Sequence, residues 1–471
     1  MTRAPAPLAV RDIDTPGTDP VVRAASEVIG GPLGRYARVG AALPWRSAAV
    51  ALSLVGTVMV AAGTLQKGYC TANGWAEPDV FWRACYSDLP FLFSGSVLAT
   101  GGFPYGSAAN LAQPVVTGSV MWLTALLVPG GDDVVVRERW YFAIWAVLTV
   151  VVIALLVRVT ARSCRRDPWR AAHVAASPLI VTVALVAPDL VGVLLASYAL
   201  WWWSRGRTTW AGLAFGLAIA ARTYPVLLLL VIGLLAIRAG HWRAWAQSAG
   251  VALLTWAALL VAIGLPTRGG SFAPYEAWWR AGPDYGSPWY LPALADVSVL
   301  PTVAAVLAMS GWVLGLSVGA MVALSAPRRP TIGEVGLIVV GIVLITGKAL
   351  PVQSSLWLLP LIALAGLRWR DHLIWATTEV LYFVVIWLYL GGLSDPNRGL
   401  PLGWLALFSV LRIGGICWLV AAAWRSAMAR PPAPDAAPGS DPPDGFAAAQ
   451  EPDEVAGPLA GAPDQVVVRF R

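Results

Sequence analysis

The chain is 471 residues long, 58% hydrophobic and only 13% charged, whereas a soluble domain carries roughly 25% charged residues. Its apolar runs recur too often and run too long for the two or three soluble domains that the length would allow, and they lack the alternation of a membrane β-barrel strand. The net charge of +7 does not point to nucleic acid, because the arginines cluster at the ends of apolar runs, the positive-inside pattern of a membrane protein.

Taken in chain order, residues 1–44 are polar and Pro- and Gly-rich, read as a flexible cytoplasmic tail, and hold no apolar core of a cleavable signal peptide. Residues 45–428 read as one all-α, polytopic membrane domain. Its apolar runs at 45–65, 140–157, 246–265, 301–325, 332–347, 352–367, 373–391 and 401–424 reach or approach the roughly 20 residues that cross a bilayer as a helix. With the shorter segments 171–187, 189–204, 210–222 and 224–238, about a dozen spans are expected. Short helices broken by prolines such as Pro188 and Pro225 often surround a polar cavity. Arg35, Arg38 and Arg46 place the N-terminus inside, and the clusters at 158–170, 205–207, 238–243, 328–329 and 368–370 should share that face. The outer loops are then 66–111 and 266–296, with Asp189, Arg222, Lys348 and 392–400 on the same side. This orientation requires 112–130, apolar and bounded by Pro114 and Pro129, to be re-entrant, or to be a span with a further, uncounted partner. Residues 429–471, rich in Pro, Ala, Asp and Gly, read as a disordered cytoplasmic tail.

Cysteine and histidine usage offers no metal motif, and no cofactor is implied. The histidines, His173, His241 and His372, all sit by predicted cytoplasmic span ends. Cys70 and Cys85 share the first outer loop; an oxidising compartment would let them pair, and the sequence equally allows two free thiols. Long loops tend to carry function, and the two outer loops stand out. The first mixes Glu77, Asp79 and Asp88 with Trp75, Phe81, Trp82 and Tyr86. The second holds Trp278, Trp279, Arg280, Asp284, Trp289 and Tyr290, the aromatic faces, cation and carboxylate that suit a sugar, or equally an interfacial aromatic belt. Arg222 lies between two short apolar segments, where a charge is costly and tends to be functional. Glu379 and Arg412, within the last spans, read as a structural pair.

Several segments resemble a known family in order. They are Asp88-Leu-Pro-Phe-Leu-Phe, Gly101-Gly-Phe-Pro-Tyr105, Gln113-Pro-Val-Val-Thr-Gly118, Pro188-Asp189-Leu190, Ser204-Arg-Gly-Arg207 and Ala221-Arg-Thr-Tyr-Pro225. Asp284-Tyr-Gly-Ser-Pro-Trp-Tyr290, Lys348 with Gln353-Ser-Ser-Leu-Trp-Leu-Leu-Pro360, and Arg398-Gly-Leu-Pro401 follow. Together they resemble the GT-C glycosyltransferases of family 87, the polyprenyl-phosphate-mannose-dependent mannosyltransferases of actinobacteria, over roughly residues 45–425. The chain departs from the family's usual pattern at Gln113-Pro114 and at Pro351-Val352, after Lys348.

The resemblance implies a GT-C-like fold and inverting transfer of a hexose, mannose by expectation, on the outer face of a bacterial plasma membrane. The donor would be a polyprenyl-phosphate sugar, the acceptor a cell-envelope glycolipid or glycan, and the surroundings membrane lipids. The family's catalytic carboxylate maps onto Asp88, with Asp79 as runner-up. A phosphate-linked sugar is already activated, so the acceptor hydroxyl is what needs a base, while cations must meet the charge left on the phosphate. Arg222, Lys348 and Gln353 are the candidates for the donor phosphate, and Arg280, Asp284, Trp289 and Tyr290 for sugar and acceptor. The alternatives are a lipid or solute transporter or flippase, which would line a midplane path with charge, and a diverged non-catalytic membrane protein.

Overall fold

The computed structural model describes residues 19–30, 45–106, 111–429 and 453–468; among these the chain is helical and forms no strand. Six helices are long and apolar enough to cross a membrane, and several shorter apolar ones accompany them. The protein is an integral membrane protein with an all-α bundle.

Helix α1 (Pro20–Gly30) precedes α2 (Trp45–Gln66), which runs the length of the bundle. Small residues let α2 pack closely, as membrane helices do: Ile153 Cγ2 and the Val181 carbonyl occupy the space where side chains at Gly56 and Gly63 would stand. The following loop contains α3 (Gly68–Asn73), α4 (Asp79–Trp82), α5 (Asp88–Ser94) and α6 (Val115–Ala125). With 11 residues, α6 is about 16 Å long, half the hydrocarbon thickness of a bilayer. Arg137 and Arg139, in the first turns of α7 (Val134–Ser163), donate to Ala99 O and Ala72 O of the loop that leaves α2. Trp122 of α6 donates to Gly101 O, so this segment also packs on the loop that precedes it.

The next passage is irregular. Where one short helix was expected over 171–187, the chain forms a 3-10 turn at Pro168–Ala171, then α8 (Ala172–Ala175) and α9 (Pro178–Val183), because Pro178 and Pro188 interrupt the ladder. Short apolar helices follow: α10 (Asp189–Ser204), α11 (Thr208–Ala221) and α12 (Pro225–Arg238). Beyond α13 (Trp242–Gly264), a loop carrying α14 (Ala273–Arg280) leads to α15 (Pro301–Ser325) and α16 (Ile332–Thr346). A second irregular passage, a 3-10 turn at Val352–Trp357 and α17 (Leu359–Ala365), precedes α18 (Trp369–Ser394) and α19 (Leu402–Met428).

Hydropathy sorts these helices by depth. Every residue from Ile332 to Leu344 of α16 is buried, and the helix is apolar on all sides, as a central helix should be. On α13 only Ser248, Ala252, Leu260 and Gly264 are buried, and Leu253, Leu254 and Val261 face outward, as lipid contact demands. Helices α10, α12 and α16 connect two ends of the bundle. At one end lie Asp189, the Arg222 segment and Lys348; at the other lie Trp203, Arg238 and Ile332.

The second end corrects an expectation. Residues 429–471 were read as disordered, yet 453–468 form an ordered strap across it; residues 430–452 and 469–471 lie outside the described residues. Its carboxylates meet exposed backbone and cations. Asp453 accepts from Ile332 N, Glu454 from Arg165 N and Arg166 N, and Asp464 from Arg238 and Arg329. Trp203 Nε1 donates to Ala456 O, and Val455 and Leu459 are buried. Composition alone missed this because low hydrophobicity hides how well Asp and Glu complement an arginine-rich surface. Likewise, Pro20–Gly30 of the expected N-terminal tail is a helix, and Asp19 Oδ2 before it accepts from Trp369 N; residues 1–18 and 31–44 lie outside the described residues.

Candidate active site

The loop after α2 folds back on itself through a disulfide between Cys70 and Cys85, with Cα atoms 5.9 Å apart. The open question of two thiols or one bridge is settled as a bridge. Two residues beyond Cys85, Ser87 starts α5: its Oγ accepts from Leu89 N at 3.3 Å and donates to Leu185 O at 2.7 Å. Asp88 N donates to Val186 O at 2.7 Å. The first irregular passage therefore supplies free carbonyls to which this turn is fixed.

The Asp88 side chain is partly accessible, and the Tyr86 hydroxyl acts on it. Burial raises its pKa to about 6; Tyr86 opposes this, Asp189 adds to it, and Arg222 and Lys67 oppose it. A carboxyl so placed is largely ionised at neutral pH and a stronger base than an exposed aspartate.

Next to it lies an ion pair. Arg222 follows α11, and its Nε and Nη2 bind Asp189 Oδ1 and Oδ2 at 3.0 and 2.8 Å in a two-pronged contact. Its Nη1 donates to Gln113 Oε1 at 3.0 Å and to Ala221 O at 3.1 Å. Trp357 Nε1 also donates to Asp189 Oδ1, at 2.9 Å, and its ring stacks on Tyr224 with centroids 4.6 Å apart. Gln353 is half-buried on the same 3-10 turn as Trp357. Tyr105 fastens the neighbouring segment: its hydroxyl donates to Gln113 O at 3.0 Å and to Pro114 O at 2.9 Å, while Thr117 Oγ1 donates to Ala221 O at 2.7 Å. The segments that resembled family motifs around Asp88, Tyr105, Gln113, Asp189, Arg222 and Trp357 thus converge here; Ser204–Arg207 lies at the other end of α10.

The loop 266–296 is placed by Lys348. Its Nζ donates to Trp278 O, Trp279 O and Ala281 O, and lies 4.1 Å from the centroid of the Trp278 ring. The amine thus caps the last turn of α14 and turns its protons to backbone carbonyls, not to open space as a phosphate ligand would. Asp284 N donates to Lys348 O at 2.8 Å; the Asp284 carboxylate is exposed, and its charge reaches Tyr86. Tyr290 packs edge-on to Tyr285 at 5.0 Å, and Trp289 Nε1 donates to Thr346 O at 2.9 Å. Buried Arg412 pairs with Glu379 at 2.8 Å, as expected, and also donates to Leu350 O and Pro351 O, which holds the Lys348 turn.

Two candidates stand apart. Arg280 is 79% exposed, pairs with Glu276 one turn away, and lines a shallow open groove with Phe272, Tyr275 and Trp279. Asp79 is exposed, and its carboxylate accepts from Tyr69 at 3.2 Å. Conversely, sequence reasoning gave no role in the site to Lys67, Tyr86 or Asp189. Lys67 is fully buried near Asp88. Its signal was there: it is one of two lysines in a chain that otherwise uses arginine.

Among the described residues, no group of three His, Cys, Asp or Glu side chains gathers as a metal site would. No curated protein matches the chain. Among solved structures, the crystal structure of ArnT from Cupriavidus metallidurans bound to undecaprenyl phosphate is similar at 15% identity and a TM-score of 0.36, covering 70% of this chain and 71% of that one. Residues 135–350, which include Asp189, Arg222, Asp284 and Lys348, match the model of glycosyltransferase family 87.

Proposed function

We propose that the protein moves a hexose, mannose by our reading, from a polyprenyl-phosphate donor to a cell-envelope glycolipid or glycan, with Asp88 as general base. The observation that carries this is the placement of Asp88: partly accessible, with its backbone fixed to Val186 and with Tyr86 and the Arg222–Asp189 pair acting on it. In the reaction, a carboxylate oxygen of Asp88 takes the proton of the acceptor hydroxyl. The acceptor oxygen so freed then attacks the anomeric carbon from the face opposite the phosphate, and the polyprenyl phosphate leaves with its bonding electron pair, inverting the centre. Arg222 is the cation on hand for the departing phosphate, with Gln353 on the neighbouring turn. Lys348 contributes by holding the loop that presents Asp284, Trp289 and Tyr290 to sugar and acceptor. The site end faces outward and both termini inward, because the arginine clusters gather at the strap end.

The test is transfer by full-length protein in detergent, with a short-chain polyprenyl-phosphate-mannose and an envelope lipid extract. Asp88→Asn lowers kcat by about 10²–10⁴-fold with unchanged elution, whereas Asp79→Asn keeps activity. Equal rates for Asp88→Asn and wild type would remove the base from Asp88.

A further inference from the structure

Lys67 follows the last residue of α2 and is 0% exposed. Its Nζ has no hydrogen-bond partner among the described residues; the Phe383 ring, 5.2 Å away, is its recorded aromatic neighbour. An unpaired ammonium is among the costliest groups to bury, and a snorkelling lysine would instead turn its head to water. Local covalent structure keeps it inside. Cys70 lies three residues after Lys67 and Cys85 three residues before Asp88, and the disulfide joins them. Gln66 Nε2 adds a hydrogen bond of 2.6 Å to Ala84 O. The two charged side chains are thus carried on arms of equal length from one clamp.

The groups that face Asp88 are Tyr86 on its own segment, Asp189 at the start of α10, Arg222 after α11, and Lys67 after α2; Glu77 and Asp284 act on Tyr86. Arg222 and Asp189 are bound to each other and act on Asp88 with opposite sign. The cation that no carboxylate cancels is Lys67.

We propose that Lys67 is a positioning residue for Asp88, a buried ammonium whose field holds the carboxylate ionised for the acceptor. This rests on Asp88 being the base. Burial lowers the Lys67 pKa to about 7, so its field acts through the range in which Asp88 itself titrates and fades at alkaline pH.

The experiment is a pH profile of transfer by the full-length protein with polyprenyl-phosphate-mannose. It is paired with an infrared titration of the carboxyl band that Asp88→Asn removes, which reads the carboxyl without turnover. In Lys67→Met the acid limb and the band both move up by about one pH unit, a loss of roughly tenfold on the acid side that closes by pH ~8.5. Lys67→Arg keeps the wild-type limb. A rate lowered equally at every pH, or a band that does not move, would overturn the proposal. If Lys67→Met does not fold, Lys67→Gln replaces it, and failure of both to fold would assign Lys67 a purely structural role. Failure of the base reading is distinct: Asp88→Asn would then retain transfer, whatever Lys67 does to the band.

Discussion

Arg222 could be found from sequence because a guanidinium between two apolar segments must either be paired or serve a ligand. Which partner it takes could not, since Asp189 is 33 residues away and reads as an ordinary helix start. Lys67 was hidden for a similar reason: at the end of an apolar run, a buried lysine and a snorkelling one look alike. The pairing also depends on a residue with no side chain. A Cβ at Gly192, one turn along α10 from Asp189, would lie 2.9 Å from Arg222 Cγ and 3.2 Å from its Cβ. We expect Gly192→Ala to push Arg222 off Asp189. Transfer should fall by about tenfold or more for a misplacement of this kind, with stability lowered by about 1–3 kcal/mol. Steady-state kinetics beside thermal unfolding of the same preparation checks this; a variant with wild-type kinetics would show that Arg222 can shift without loss.

At the scale of elements, the long helices followed from apolar length alone. The irregular passages around α8, α9 and α17 were only half legible. Pro178, Pro188, Pro351 and Pro360 mark breaks in sequence, but not that the freed carbonyls of Leu185 and Val186 would serve as anchors for Ser87 and Asp88. The disulfide was left open because pairing depends on compartment as well as geometry. It closes a loop of 15 residues, for which chain entropy gives about 3 kcal/mol. Cys70→Ser with Cys85→Ser should therefore lower the unfolding midpoint and reduce transfer together. Denaturant unfolding with and without reductant measures the first; loss of stability with full transfer would show that the clamp is dispensable to the site.

At the scale of the molecule, charge orders the bundle. Arg165, Arg166, Arg238, Arg328 and Arg329 share the strap end, whereas Asp88, Asp189, Arg222 and Asp284 share the other. The orientation is testable without activity. A cysteine at exposed Ala76 should react with a membrane-impermeant maleimide in intact cells, and one at exposed Ala460 only after permeabilisation. Cys417, the exposed native thiol, is replaced beforehand. The opposite pattern would turn the protein over. The strap was the least legible part of the fold, because a segment rich in Pro, Ala and Asp gains order only from a partner surface, and that surface is built from residues scattered over the chain.

The strap also bears on the order in which the molecule is completed. Arg238 is buried and hydrogen-bonds the carbonyls of Ala323 and Ala326, but its counter-charge is Asp464. Residues 453–468 leave the ribosome after every helix they touch. During synthesis, α12 and α15 must therefore come together while that arginine still lacks its carboxylate. The last step of assembly thus locks helices inserted much earlier, and it takes place outside the lipid, where the strap can diffuse. A chain cut before Asp453 should insert and pack normally yet lose on the order of 3 kcal/mol, the cost of a buried charge left unpaired. Asp464→Ala should reproduce much of that loss, and adding the strap back as a separate peptide should restore it.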